Sequence, residues 1–182
     1  GSPPQAMPGY PQGYGQAPYG QAPAKNLLVS SILMVAGGVL TLVGMFLPWI
    51  SVKLPPEYEA YASSMPDMPN GFNILFGGSE YAEGTPLFAW IAFLAGITLL
   101  VIGILAFVLK PVPSALGLSA LIAGGVGFVA IIIDIIISMG DLSDANAMFG
   151  MDVASLGFGY WLIAIALAVG LAGAVGRFIK KY

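Results

Sequence analysis

Four apolar stretches, residues 27–50, 87–109, 114–139 and 158–178, take up more than half of this 182-residue chain. A helix of about 20 apolar residues crosses a hydrocarbon core about 30 Å thick, and each stretch reaches or approaches that length. Backbone polar groups in lipid must be satisfied within the spanning segment, so such stretches are helical. The expected fold class is an all-α membrane protein: a bundle of four transmembrane helices with a structured outer loop between helices 1 and 2. With charged residues at 8% and hydrophobic ones at 58%, little is left over for a soluble domain. Residues 1–26 read as a separate cytoplasmic tail, residues 27–182 as the four-helix domain, and 51–86 and 140–157 as its outer loops.

The charges are sorted. Of six basic residues, all but Lys53 (Lys25, Lys110, Arg177, Lys180 and Lys181) fall on one side of four alternating spans. The positive-inside rule places that side, and both termini, in the cytoplasm. All nine acids except Asp134 fall in the two outer loops. Trp49, Trp90 and Trp161 sit at outer span ends, where an aromatic belt is expected. The first span is too long, and its flank too poor in basic residues, for a cleavable signal peptide, so it is expected to stay in the membrane. Gly1-Ser2 stands without an initiator Met and is left out of the argument.

The tail, from residue 3 to 24, carries no charge and repeats Tyr-Gly-Gln-Ala-Pro in tandem. Such a composition buries too little apolar surface to offset its ordering entropy, which predicts disorder. One reading is a solubilising leader; the other is a multivalent contact segment bearing Tyr10, Tyr14 and Tyr19. In the first outer loop, residues 51–54 alternate like a short strand. Pro55-Pro56-Glu57 opens a short helix with Tyr58, Tyr61, Ala62 and Met65 on one stripe. Asn70-Gly71 reads as a turn, and residues 72–76 as a strand pairing with 51–54 or a segment on the bilayer. In the second loop, Ser143 is the expected N-cap of a short helix over 144–149, stopped by Gly150. Both loop helices are expected to lie as a lid over the bundle.

The chain has no histidine and no cysteine. Thiolate chemistry, zinc sites built on Cys and His, and the usual near-neutral general base are excluded. No phosphate-binding loop, nucleophile elbow or paired-carboxylate motif occurs, so no catalytic residue, cofactor or metal is assigned and an enzyme is not expected. The row of oxygen side chains from Asp141 to Asn146 lacks the spacing of a calcium loop and reads first as a solvated acidic rim. Without a basic patch, nucleic acid is not an expected partner; membrane lipids, other integral membrane proteins or a second copy of the chain are.

Two sets of residues stand out within the spans. Small residues recur at spacings that let helix backbones approach: Gly37 and Gly44 (with Ser30 and Thr41), Gly96 and Gly103, Gly124 and Gly127, and Gly170 and Ala174. Plain bundle packing explains them, and docking of a partner helix is the alternative. Asp134 is the one ionisable residue well inside a span, and an intramembrane acid is a candidate site by default. Twenty residues past Ser114 at 1.5 Å each, it lies about 30 Å across, at the outer boundary. There it either bonds Ser138, Tyr160 or a loop amide, or forms a proton or cation site with them.

The Pro/Gly/Tyr/Gln-rich tail, a first span ending Phe46-Leu47-Pro48-Trp49-Ile50-Ser51-Val52, and a loop carrying Asn70-Gly71-Phe72-Asn73 resemble small, mostly uncharacterised four-helix membrane proteins of high-GC Gram-positive (actinobacterial) bacteria. The resemblance implies a bacterial plasma membrane and carries no catalytic residue. The topology is also similar to that of claudins, but the two loop cysteines and the Gly-Leu-Trp signature are missing. The expected function is a non-enzymatic scaffold or accessory subunit of a larger envelope or respiratory membrane complex. The alternative is a small transporter, channel component or lipid-handling protein with its site at the outer mouth near Asp134.

Overall fold

The computed structural model describes residues 16–64, 70–76, 86–109, 113–150 and 154–179. In chain order the elements are helix α1 (Gln16–Phe46), strand β1 (Ile50–Val52), a 3-10 segment (Pro56–Ser64), α2 (Gly71–Phe76), α3 (Pro86–Val108), α4 (Ser114–Phe149), strand β2 (Ala154–Leu156) and α5 (Phe158–Ile179). The protein is mostly helical, and α1, α3, α4 and α5 are long and apolar enough to cross a membrane. They pack in a closed ring, in the order α1, α3, α4, α5.

The ring closes on small residues. A Cβ built on Gly37 of α1 would lie 2.6 Å from the Ala166 carbonyl oxygen and from Cα of Gly170, both on α5. Further along the same seam, Gly44 faces Ile163, and Gly173 faces the Ser30 carbonyl at 2.7 Å. Gly96 and Gly103 of α3 receive Thr41 and Val35 of α1. Gly127 of α4 faces Ala95, and Gly124 lies against Leu171. Gly170 also receives Leu99, and Ala174 is buried. Helices in lipid gain nothing from hiding apolar surface, so close backbone approach and dense dispersion contacts hold them. Met34, Leu99, Ile131, Ile163 and Leu167 fill the axis. Leu94, Val101, Ile104, Ile122, Val126 and Ile165 point outward and are exposed, an apolar girdle that suits acyl chains and would be an aggregation liability in water.

Several expectations are corrected. The first helix stops at Phe46, short of Ile50, because Leu47 precedes Pro48 and the residue before a proline is pushed out of helical geometry. It begins at Gln16, so the part of the disordered tail expected over 16–26 is helical. Ala and Gln favour a helix, and Pro23 within it removes one backbone donor. Tyr19 belongs to this helix, whereas Tyr10 and Tyr14 lie outside the described residues.

The partner of β1 is β2 of the other loop, antiparallel with Ile50 opposite Leu156 and Val52 opposite Ala154. The all-α expectation therefore misses a small sheet. Residues 72–76 are helical instead. Asn70 and Asn73 cap that helix reciprocally: the Asn73 N–H donates to Asn70 Oδ1 at 2.9 Å, and the Asn70 N–H donates to Asn73 Oδ1 at 3.1 Å. This is the logic of a capping box, with Asn in both places. The stripe residues Tyr58 and Tyr61 are exposed, so the 3-10 segment is not the expected lid; Met65 lies outside the described residues.

The short helix expected over 144–149 is not separate. α4 runs unbroken for 36 residues, about 54 Å, and Ser143 is a mid-helix side chain rather than a cap. Gly140 does not break it, since one glycine costs only about 1 kcal/mol. Gly150 does end it, in the left-handed region at φ 69° with its N–H turned back to the Ala147 and Asn146 carbonyls. The acids Asp141 and Asp144 are exposed on this continuous helix, not in a loop that could wrap a cation. Arg177 lies within α5 and is buried, not on a flank beyond it.

Candidate functional site

Asp134, Ser138 and Tyr160 come together at the end of the bundle where α5 begins. Asp134 and Ser138 are one helical turn apart on α4, and Tyr160 lies in the first turn of α5. The Tyr160 hydroxyl is hydrogen-bonded to the Asp134 carboxyl and lies 3.0 Å from Ser138 Oγ. A phenol has one proton. If Asp134 is the carboxylate, it accepts that proton, and Ser138 then donates to the phenolic oxygen. The chain of bonds therefore runs Ser138 to Tyr160 to Asp134 and ties α4 to α5. Asp134 and Tyr160 are each only 4% exposed.

Trp49 completes the group from a third element, and its placement corrects the belt expectation. It is fully buried, its ring centroid 4.4 Å from that of Tyr160, and its indole N–H donates to the Gly44 carbonyl at 3.0 Å. Gly71 and Gly159 press on the indole from two sides. Trp161 is exposed and Trp90 half-buried, with Trp90 in edge-to-face contact with Phe76 and Phe93. Belt positions expose one edge of a ring to the headgroups. Trp49 has none exposed.

The two-stranded sheet spans this end of the bundle. Beyond its ladder, the Gly157 N–H donates to the Trp49 carbonyl at 2.8 Å, and the Gly159 N–H to the Pro48 carbonyl at 3.0 Å. A side chain at Gly157 would run into the Pro48 carbonyl, so the close crossing requires glycine. Asn146 fastens β2 to α4 by presenting its amide as a strand would: its Nδ2 donates to the Ala154 carbonyl at 2.8 Å, and its Oδ1 accepts from the Ala154 N–H at 3.0 Å. Two such bonds are worth about 1–3 kcal/mol together. Asn146→Ala is expected to release β2 locally, seen as faster amide exchange at Ala154 with the bundle unchanged. Unaltered protection there would show that the ladder alone holds the strand.

Between the far end of α4 and β2 opens a cleft of about 740 Å³, lined by Met139, Leu142, Ser143, Asn146, Leu156 and Trp161 among others. Sequence reasoning missed it because it needs α4 to continue past Gly140. A second, apolar groove of about 390 Å³ runs between α3 and α4, over Leu94, Thr98, Ser119 and Val126. Among the described residues, no three acids gather as a metal site would need. The Tyr160 cluster is closed on itself. Removing its central hydroxyl leaves a buried carboxyl short of a donor, which costs about 1–3 kcal/mol or more if charged. Tyr160→Phe is therefore expected to lower the thermal midpoint in detergent and to shift the emission of the adjoining Trp49. A midpoint equal to wild type would mean that the carboxyl draws its stabilisation from elsewhere.

Comparison with family models, with curated proteins and with solved structures finds no match to this chain.

Proposed function

We propose that the protein is a non-enzymatic integral membrane scaffold or accessory subunit of a larger envelope or respiratory assembly, set in a bacterial plasma membrane with both termini in the cytoplasm. The observation that carries this reading is the reach of α4. Asp134 is level with the start of α5, and the fifteen residues that follow it rise roughly 22 Å further. That extension bears the 740 Å³ cleft, half polar and half apolar and braced by Asn146. The axis of the bundle is filled with side chains, and the polar groups within it are tied to one another. Chemistry thus faces outward, from a rigid support.

A photo-crosslinking residue at Ser143 or Ala147, activated in native membranes, is expected to yield one discrete protein adduct. Adducts to lipid or to a second copy alone would sink the proposal. The orientation rests on the sorting of the basic residues, all but Lys53 at one end. The chain has no cysteine of its own. Asp144→Cys is therefore expected to react with an impermeant maleimide on intact cells and Asn26→Cys to stay unlabelled, and the reverse pattern would invert the topology.

A small transporter or lipid-handling protein is the second reading, favoured by the meeting of Asp134, Ser138 and Tyr160 at one mouth of the bundle. Flux or lipid traffic abolished in Asp134→Asn, with the fold intact, would bring it forward.

A further inference from the structure

Arg177, at the opposite end of the bundle, has no role in the docking reading. It lies in the last turn of α5 and is only 9% exposed. Its Nη1 is covered and has no hydrogen-bond partner among the described residues. A guanidinium keeps its charge under all ordinary conditions, and a buried charged donor left unpaired is among the costlier defects a fold can carry. An arginine inside a membrane span normally marks a partner or a ligand.

The acids among the described residues do not supply that partner: Glu57, Glu59, Asp141 and Asp144 belong to the segments at the other end of the bundle. The one acid within the bundle, Asp134, is bonded to Tyr160, and seventeen residues of α5 separate Tyr160 from Arg177, about 26 Å. Among the described residues, then, nothing pairs it. Arg177 stands two residues before the end of α5, a helix about 33 Å long that slightly exceeds a hydrocarbon core of about 30 Å, so a side chain there is within reach of the headgroup layer. The last turn of α5 lies against the first lipid-facing turns of α1, with Gly176 beside Ser30. Around that seam Leu28, Val29, Phe178 and Ile179 are exposed and apolar, a wall for acyl chains directly beside the charge.

We propose that Arg177 seats the phosphate of a phospholipid headgroup from the leaflet at that end, making the lipid a bound component of the bundle. A guanidinium fork matches a phosphate in two parallel N–H bonds, which an ammonium cannot do. The inference rests on the chain lying in a bilayer, not on its docking role. It is read on purified protein with no partner present, so the two fail separately.

The test is native mass spectrometry of the full chain in mild detergent with added phosphatidylglycerol, its carboxyl terminus extended by a neutral tag to carry that carboxylate away. Wild type is expected to retain one lipid per chain, and Arg177→Gln to retain it about tenfold less well or worse. The paired variant Lys180→Gln/Lys181→Gln should match wild type. If Arg177→Gln does not fold, Arg177→Lys decides, because it keeps the charge and loses the fork, and its retention is expected to fall between the two. Equal retention in the Arg177 variants, or equal loss in the lysine pair, overturns the assignment. Displacement of the lipid by millimolar inorganic phosphate reassigns the seat to a free anion and overturns it too. So does a crosslink from position 177 to an acidic segment of another protein in native membranes.

Discussion

Replacing Gly37 with valine is expected to prevent α1 and α5 from closing, and with them the ring. A Cβ at this position meets only backbone: the Ala166 carbonyl oxygen and the N and Cα of Gly170, each at 2.6 Å. Carbon atoms rest about 3.5–4.0 Å apart, so the helices have to separate by about 1 Å, and no side chain can rotate aside to spare them. Overpacking usually costs about 1–3 kcal/mol where neighbours can shift; here they cannot, and the loss should reach or pass the top of that range. Separation also loosens Gly44 from Ile163 and Gly173 from Ser30, with no hydrophobic force in lipid to press the pair together again. Gly125→Ala is the control, since its added Cβ would touch nothing, and removing a mid-helix glycine should leave stability equal or slightly higher. Thermal midpoints in one detergent compare the two. A Gly37→Val protein as stable as the control would mean that the seam is far looser than it stands here.

Trp49→Ala is the second large effect, expected at about 3–5 kcal/mol, the cost of emptying a buried indole site. Trp49 is the largest fully buried side chain. Its loss opens a cavity bounded by Met45, Gly71, Gly159 and Tyr160 and leaves the Gly44 carbonyl without its indole donor. Because the ring braces Tyr160, the variant should also weaken the bond between Tyr160 and Asp134. Combining it with Tyr160→Phe is thus expected to cost less than the two changes added separately. Trp49→Phe should recover most of the packing but not the hydrogen bond. Strict additivity in the double variant would separate the indole from the polar cluster.

How far the sequence reveals this arrangement depends on the range over which each feature is decided. The long helices are legible because a period of twenty apolar residues is a local property. The pairing of Asp134 with Ser138 follows from one helical turn, and Tyr160 is within reach once two spans are known to be neighbours. The sheet is not legible: Ala154-Ser155-Leu156 is too short for its alternation to stand out and has no β-branched residue, and its partner Ile50–Val52 lies in the other loop. Trp49 misleads for a related reason. A tryptophan at a span end signals the bilayer surface, and only glycine at both Gly71 and Gly159 gives it room to turn inward. The grip of Asn146, beyond Gly140 on α4, upon Ala154 is likewise a contact between segments that no local pattern announces.

The seam between α1 and α5 also dictates an order of assembly. It joins the first of the four long helices described to the fourth, so the glycine face of α1 cannot meet its mate until residues 158–179 have been synthesised. A chain halted before that point holds α1 against α3 alone, with Gly37 and Gly44 bare toward the lipid, the kind of unfinished surface that domain swapping and membrane quality control act on. α5 is therefore the helix that commits the nascent bundle.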